Sequence, residues 1–281
     1  LAAMPVKSPA DRRIIGRDLR NRDVAEKAEG SAVYGLDAAL PGMAYAMPLL
    51  PPTRYGSTVL SIDESAAKTI DGYIGALRIN DPSETVQGCV VVAAETMPAV
   101  LKAVKAVSVD WASGPTASVS EADLIAEGVR LAADPTVGTL YVNEGDIAAA
   151  TTNAADTLAA TYTTSTALHF TMEPQNALVE FDAQGRCHIH AGNQWQSLIL
   201  PVLAQALEMP ETDIVIHQYY LGGGYGRRLF GDQMIPAALA ARALGRPVKL
   251  IFDRATDSRF DCVRSPSVCT LAASFDGDGN L

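Results

Sequence analysis

The first clear hydrophobic pattern is the run Cys89–Ala93, apolar throughout, which predicts a buried strand. Thr96 then caps a helix reaching about Ala106, with Pro98 tolerated in its first turn. Val100, Leu101, Val104 and Val107 recur at helical spacing and predict its buried stripe. From Val107 to Trp111 the period changes to strict alternation, a half-exposed strand that Ser113-Gly-Pro115 ends. Ser120-Glu-Ala-Asp123 resembles a capping box and predicts a second helix to about Leu131. Upstream, Ala32–Leu60 carries apolar stretches punctuated by Pro41, Pro48, Pro51 and Pro52, consistent with short strands and turns.

The texture changes across Ala133–Thr139, where Pro135 and Gly138 mark a candidate boundary. Beyond it the pattern predicts strands at Thr157–Thr164, Ala177–Phe181 and Cys187–His190, and a helix at about Ser197–Glu208. A strand follows at about Asp213–Tyr220, then a glycine-rich loop and a helix at about Asp232–Leu244. Gly245 and Pro247 close that helix, and a strand occupies Val248–Phe252. Residues 1–30 are charged and irregular, as in a solvated lead-in. The opening LAAMP fits a processed start better than a native one. The strand Thr270–Phe275 and the Asp276-Gly277 turn predict a returning strand beyond Leu281, supplied by a longer chain or by another polypeptide. With that strand unpaired, the isolated chain is expected to aggregate or stay partly unfolded.

Composition narrows the possibilities. A hydrophobic content of 48% over 281 residues supports one large core or two moderate ones. The formal charge of −10, with no basic stripe, argues against nucleic acid as a partner. No apolar run approaches the roughly 20 residues that cross a bilayer. Cys89, Cys187, Cys262 and Cys269 are far apart, so they make neither a zinc nor an iron–sulfur motif.

Three constellations could carry chemistry. The sharpest is Gly222-Gly-Gly-Tyr-Gly226-Arg227-Arg228 between a strand and a helix. Such a loop brings several N–H groups close to an anion at a helix N-terminus, and two arginines add positive charge. It is equally readable as a flexible turn. A P-loop is excluded because GxxxxGK[ST] is missing, and the dinucleotide fingerprint fails because Arg227 stands where its third glycine belongs. The second is His169-Phe-Thr-Met-Glu173-Pro-Gln175-Asn176, a buried polar network or a site wall. The third is Gly192-Asn193-Gln194-Trp195-Gln196-Ser197, whose amides either donate to a ligand or cap a helix. His169, His188, His190 and His217 are too few and too scattered for a metal cage, and no nucleophilic triad can be assembled.

In this order the Glu173–Leu178 segment, Asn193-Gln-x-Gln196, the glycine loop, Gly245–Lys249, Asp253-Arg254 and Arg264-Ser-Pro266 resemble a known family. It is the molybdopterin subunit of the xanthine oxidase and aldehyde oxidoreductase superfamily, in the branch of isoquinoline 1-oxidoreductase beta subunits. Gly30–Asp37 and Leu40–Tyr45 look like the opening of that family's a/b hammerhead domain. The resemblance implies an α/β (α+β) fold. It comprises a lead-in over 1–30, a hammerhead-like domain over 31–135, and the N-terminal part of a molybdopterin-binding domain over 136–281.

It also implies a molybdenum–molybdopterin cofactor, in the cytosine dinucleotide form usual for bacterial members. Gln194 would donate to the apical oxo ligand. The Gly223, Gly224, Tyr225 and Gly226 backbone would line the oxo ligand and pterin, with the Tyr225 ring facing the metal region. Gln194 and Tyr225 are thus this chain's share of the catalytic site. Arg227 beside the loop is expected to oppose cofactor charge, and no residue here ligates the metal directly. Leu229 stands where purine-oxidising relatives carry a substrate-binding glutamate. The family's catalytic glutamate lies in a motif this chain does not contain.

The implied partners are the C-terminal half of the subunit, a 2Fe–2S subunit, a cytochrome c or flavin subunit, and a small aldehyde or N-heteroaromatic substrate. Bacterial cytoplasm and periplasm, the latter through twin-arginine export, both remain open. The rival readings are a non-catalytic assembly subunit and, from the glycine loop alone, a nucleotide-binding enzyme.

Overall fold

A computed structural model describes residues 6–134, 136–142 and 144–281; residues 1–5 (LAAMP) and Pro135, both noted in the sequence, lie outside them. The strands are β1 (Ala44–Leu49), β2 (Thr58–Asp63), β3 (Tyr73–Arg78), β4 (Val90–Ala94), β5 (Ser108–Ala112), β6 (Asp156–Thr164), β7 (Asn176–Phe181), β8 (Cys187–Ala191), β9 (Ile214–Gln218), β10 (Val248–Ile251) and β11 (Ser267–Phe275). The helices are α1 (Val24–Glu29), α2 (Met97–Ala106), α3 (Glu121–Ala132), α4 (Ile147–Thr152), α5 (Gln196–Leu207), α6 (Met234–Leu244) and α7 (Arg254–Arg259). The fold is mixed α/β.

One seven-stranded sheet runs in the order β3-β4-β1-β10-β7-β8-β9. β1 is parallel to β10 and β8 to β9, and the remaining neighbours are antiparallel. The boundary expected near residue 135 therefore does not separate two sheets. β1, β3 and β4 come from before it and the other four strands from after it. Two small antiparallel sheets, β2–β5 and β6–β11, complete the fold.

Side chains alternate across a strand, so each β4 residue chooses one of two cores. Val91 and Ala93 join Ala46, Leu250, Ile189, Leu203 and the α6 residues Ile235, Ala238 and Ala241. Val92 and Ala94 point the other way, onto Met47, Val100 and Ala103 of α2. This two-sided burial is why β4 is apolar throughout. In α2 the buried stripe follows Val100, Ala103, Val104 and Val107, whereas Leu101 is exposed, because it lies about 100° from Val100 around the helix. Thr96 caps α2 by accepting from the Ala99 N–H, and Ser120 with Asp123 forms the expected capping box on α3.

The last strand differs from expectation. β11 is not left unpaired: it pairs with β6 over nine residues, from Ser267↔Thr164 to Phe275↔Asp156. Its partner lies over a hundred residues upstream, a pairing that the local turn signal cannot reveal. The turn after it is closed instead by Asp276, whose carboxylate accepts from the Asp278 and Asn280 N–H groups. Among the described residues, no helix is long and apolar enough to cross a membrane.

Candidate functional site

Three chain segments converge at the end of β9: the turn before β7, the β8–α5 junction and the glycine loop. Glu173 is the post on which they meet. One of its carboxylate oxygens accepts from Leu36 N at 2.9 Å and Asn176 Nδ2 at 3.0 Å. The other accepts from Gly222 N at 2.9 Å and Arg228 Nη2 at 3.0 Å. Four donors on a buried carboxylate make an anchor, with no lone pair left free for proton transfer. Glu173 N also donates to Gly222 O at 2.9 Å, so the loop's first glycine is held from both sides. A Cβ on Gly222 would lie 2.4 Å from Glu173 Cβ, so a side chain there would force the anchor to shift.

Gln194 is the second fastening. Its Oε1 accepts from Gly226 N at 3.1 Å and Arg228 N at 3.2 Å. A Cβ on Gly224 would fall 2.6 Å from Gln194 Cδ, so the side chain lies flat against the loop. Gln194 N and Asn193 Nδ2 both donate to Arg228 O, at 3.1 and 2.7 Å. Among the described residues nothing accepts from Gln194 Nε2 or from the N–H groups of Gly223, Gly224 and Tyr225. Three consecutive unpaired amides beside an unpaired side-chain donor are groups that suit an anionic or oxo ligand. Tyr225 holds a positive φ of 55° and is 76% exposed. Its ring edge lies 3.3 Å from the Cβ position of Gly223.

The arginine pair departs from expectation. Both guanidiniums are buried against carboxylates, while Arg227 Nη2 and Arg228 Nη1 find no hydrogen-bond partner among the described residues. Arg227 pairs with Asp232 at 2.8 Å and Asp261 at 3.2 Å, with Asp257 at 3.7 Å. Arg54, from the first half of the chain, takes the other oxygen of Asp232 at 2.8 Å. Burial works against the Arg227 charge, but Asp232, with Cys262 and Asp257, reverses it and raises its pKa. Burial also opposes ionisation of Asp232, yet Arg227 and Arg54 hold it below the ordinary carboxylate value. Arg228 donates to Gly223 O and Glu173 O as well as to the Glu173 carboxylate. Arg227 thus does not face ligand charge; three nearby carboxylates absorb its own. Nor does the loop cap a helix, because α6 begins only at Met234, after a 3₁₀ turn at Arg227–Leu229.

Lys249 was not singled out in the sequence, although a lysine inside the buried run Val248–Ile251 was the available signal. Its Nζ donates to Gly35 O at 2.6 Å and Ala38 O at 2.9 Å, pinning the turn that presents Leu36 to Glu173. Burial lowers its pKa from 10.5 to about 8, although Glu173 and Asp37 pull the other way. Between those values Lys249 binds more protons in the unfolded chain than in the folded one, so its own contribution to stability should rise with pH from about 8 to 10.5. Urea unfolding of wild type and Lys249→Met at both ends of that window checks this. The stability difference between wild type and variant should shift in favour of the wild type as pH rises, and a difference that does not change would contradict the assignment.

The scattered histidines do come together in part. His188 Nδ1 and His217 Nε2 are 3.0 Å apart, and the rings of His190 and His217 stack at 4.4 Å. Burial, with His217 and His188 adding to it, lowers the His190 pKa to about 4. Parallel rings do not aim their lone pairs at one point, and among the described residues no three potential ligands form a metal site. His169 lies elsewhere, against the glycine loop.

Residues 132–281 match the molybdopterin cofactor-binding domain family. The whole chain is 46% identical to the membrane-bound aldehyde dehydrogenase (pyrroloquinoline-quinone) of Gluconacetobacter polyoxogenes, of which it covers 36%. It is 27% identical to isoquinoline 1-oxidoreductase subunit beta of Brevundimonas diminuta, over 97% of the chain and 35% of that protein. The fold is similar to that of the aldehyde oxidoreductase of Desulfovibrio gigas, with a TM-score of 0.74 and 21% identity over 97% of this chain and 34% of that one. The chain thus spans about a third of the length of these relatives.

Proposed function

Because this chain belongs to the molybdopterin cofactor-binding domain family, we propose that it forms one wall of a molybdenum–pterin site in a hydroxylating oxidoreductase. The observation that carries this reading is the cradle itself: free N–H groups at Gly223, Gly224 and Tyr225 beside the free Nε2 of Gln194. The residues fit such a group, since collisions at the Gly222 and Gly224 Cβ positions keep the loop bare and its backbone open to a ligand. When bound, the cofactor supplies two-electron oxidation of an aldehyde or N-heteroaromatic carbon, with water as the oxygen source.

The chain's own part is positioning. Gln194 would offer Nε2 to the cofactor while its Oε1 holds Gly226 and Arg228. The three free amides would help to hold the cofactor, with the exposed Tyr225 ring beside them. Arg227 supports the loop from beneath through Asp232 and Asp261. We assign 1–30 to a lead-in, 31–135 to a hammerhead-like domain and 136–281 to the first part of the cofactor domain. A start of the family match at residue 132 supports the last of these. The cytosine dinucleotide form, the rest of the subunit with its glutamate base, a 2Fe–2S partner, and a cytochrome c or flavin subunit complete the proposed enzyme.

Gln194→Glu tests the division of labour at the second fastening. The carboxylate keeps the acceptor for Gly226 and Arg228 but removes the amide donor. In the assembled enzyme, turnover of aldehydes or N-heterocycles with a dye acceptor should fall about 10²-fold, the usual cost of one oriented donor, with cofactor content kept. Undiminished turnover would remove Gln194 from the mechanism.

A further inference from the structure

His169 is the one histidine the structure brings against the glycine loop. We infer that His169, locked by Asp261, is a positioning residue for Gly226 and so sets the shape of the cradle. Asp261 grips His169 at two points: Oδ2 accepts the His169 backbone N–H at 2.7 Å, and Oδ1 lies 2.9 Å from Nδ1. A buried carboxylate at Nδ1 selects the tautomer with the proton on that nitrogen. Nε2 is then fixed on the side of Gly226, 3.3 Å from where a Cβ of that residue would stand. Gly226 has a φ of +105°, a conformation L side chains rarely adopt, so the imidazole fills space that only a glycine leaves free.

The contacts close on themselves. Asp261 also pairs with Arg227, the residue after Gly226, at 3.2 Å, so a single carboxylate ties down both the imidazole beneath Gly226 and the guanidinium beside it. Gln194 Oε1 holds the N–H of the same glycine. Backbone strain next to His169 fits a fixed role: Phe170 sits at φ +48°, and Arg254 braces the following turn by donating to Thr171 O and Met172 O. A histidine that only filled the core would need neither the two-point grip nor a strained neighbour.

That the loop holds a cofactor rests on the proposed function; the positioning of the loop by His169 does not. Both are read on the whole subunit with its partners. Amide hydrogen exchange over 222–229 should speed up about tenfold or more in His169→Ala, while exchange in α6 stays unchanged as the control for folding. His169→Gln, whose amide reaches the Nε2 position, should restore part of the protection, and His169→Asn, which serves Asp261 only, should not. In the isosteric Asp261→Asn, nitrogen NMR shifts of the imidazole should show the Nδ1–H tautomer lost. Unchanged exchange in His169→Ala, or an Nε2–H tautomer in the wild type, would overturn the inference. Wild-type protein without molybdenum would instead overturn the functional reading and leave the exchange result standing.

Discussion

Glu173→Ala is expected to cost about 3–5 kcal/mol of stability, the loss typical when one partner of a buried ion pair is removed. The carboxylate takes donors from four residues: Leu36, Asn176, Gly222 and Arg228. Without it Arg228 is left buried without its direct ion-pair partner, and the N–H groups of Leu36 and Gly222 lose their acceptors. Against a total stability of about 5–15 kcal/mol, such a loss removes at least about a fifth of the folding free energy. Urea midpoints of wild type and variant measure it. A difference below about 1 kcal/mol, the scale of an exposed pair, would show that Glu173 is not the anchor described.

Gly224→Ala should have the opposite profile: little loss of stability and a large loss of cofactor. The new Cβ would meet the side chain of Gln194 at 2.6–2.8 Å, and that side chain is exposed, so it can swing away. Swinging away releases Gly226 N and Arg228 N and moves Nε2 off the cradle. Molybdenum retained through native purification should fall about tenfold or more, a loss of about 1.4 kcal/mol or greater in binding, with the urea midpoint almost unchanged. Gly222→Ala is the internal comparison. Its Cβ would strike the buried Glu173 Cβ at 2.4 Å, so stability should fall together with cofactor content. Full retention of molybdenum in Gly224→Ala would argue that the close approach of Gln194 to the loop is irrelevant to binding.

Much of this architecture was legible because it is written in local periodicity. The β4 run, the α2 cap, the α5 and α6 helices and the strands on either side of the glycine loop all declare themselves within a dozen residues. The glycine loop stood out by its own backbone chemistry, whereas Gln194 gained its proposed role only through motif order. What stayed hidden depends on register between distant segments. Nothing in the neighbourhood of Arg227 says that Asp232, Asp257 and Asp261 will surround it, so its charge reads as available when it is already spent. The partner of β11 is β6, far upstream, and a turn signal points only forward. β1 joins β10 across the expected domain boundary, a pairing visible only in the folded sheet. Leu101 failed for a simpler reason: an apolar residue one step off the stripe is rotated out of it.

The most direct test is elemental and pterin analysis of natively purified protein, with the chain in its full subunit and associated partners. The account predicts close to one molybdenum atom and one pterin per chain, with iron contributed by a 2Fe–2S partner. A folded, intact complex that carries neither molybdenum nor pterin, or that carries a quinone in their place, would contradict it.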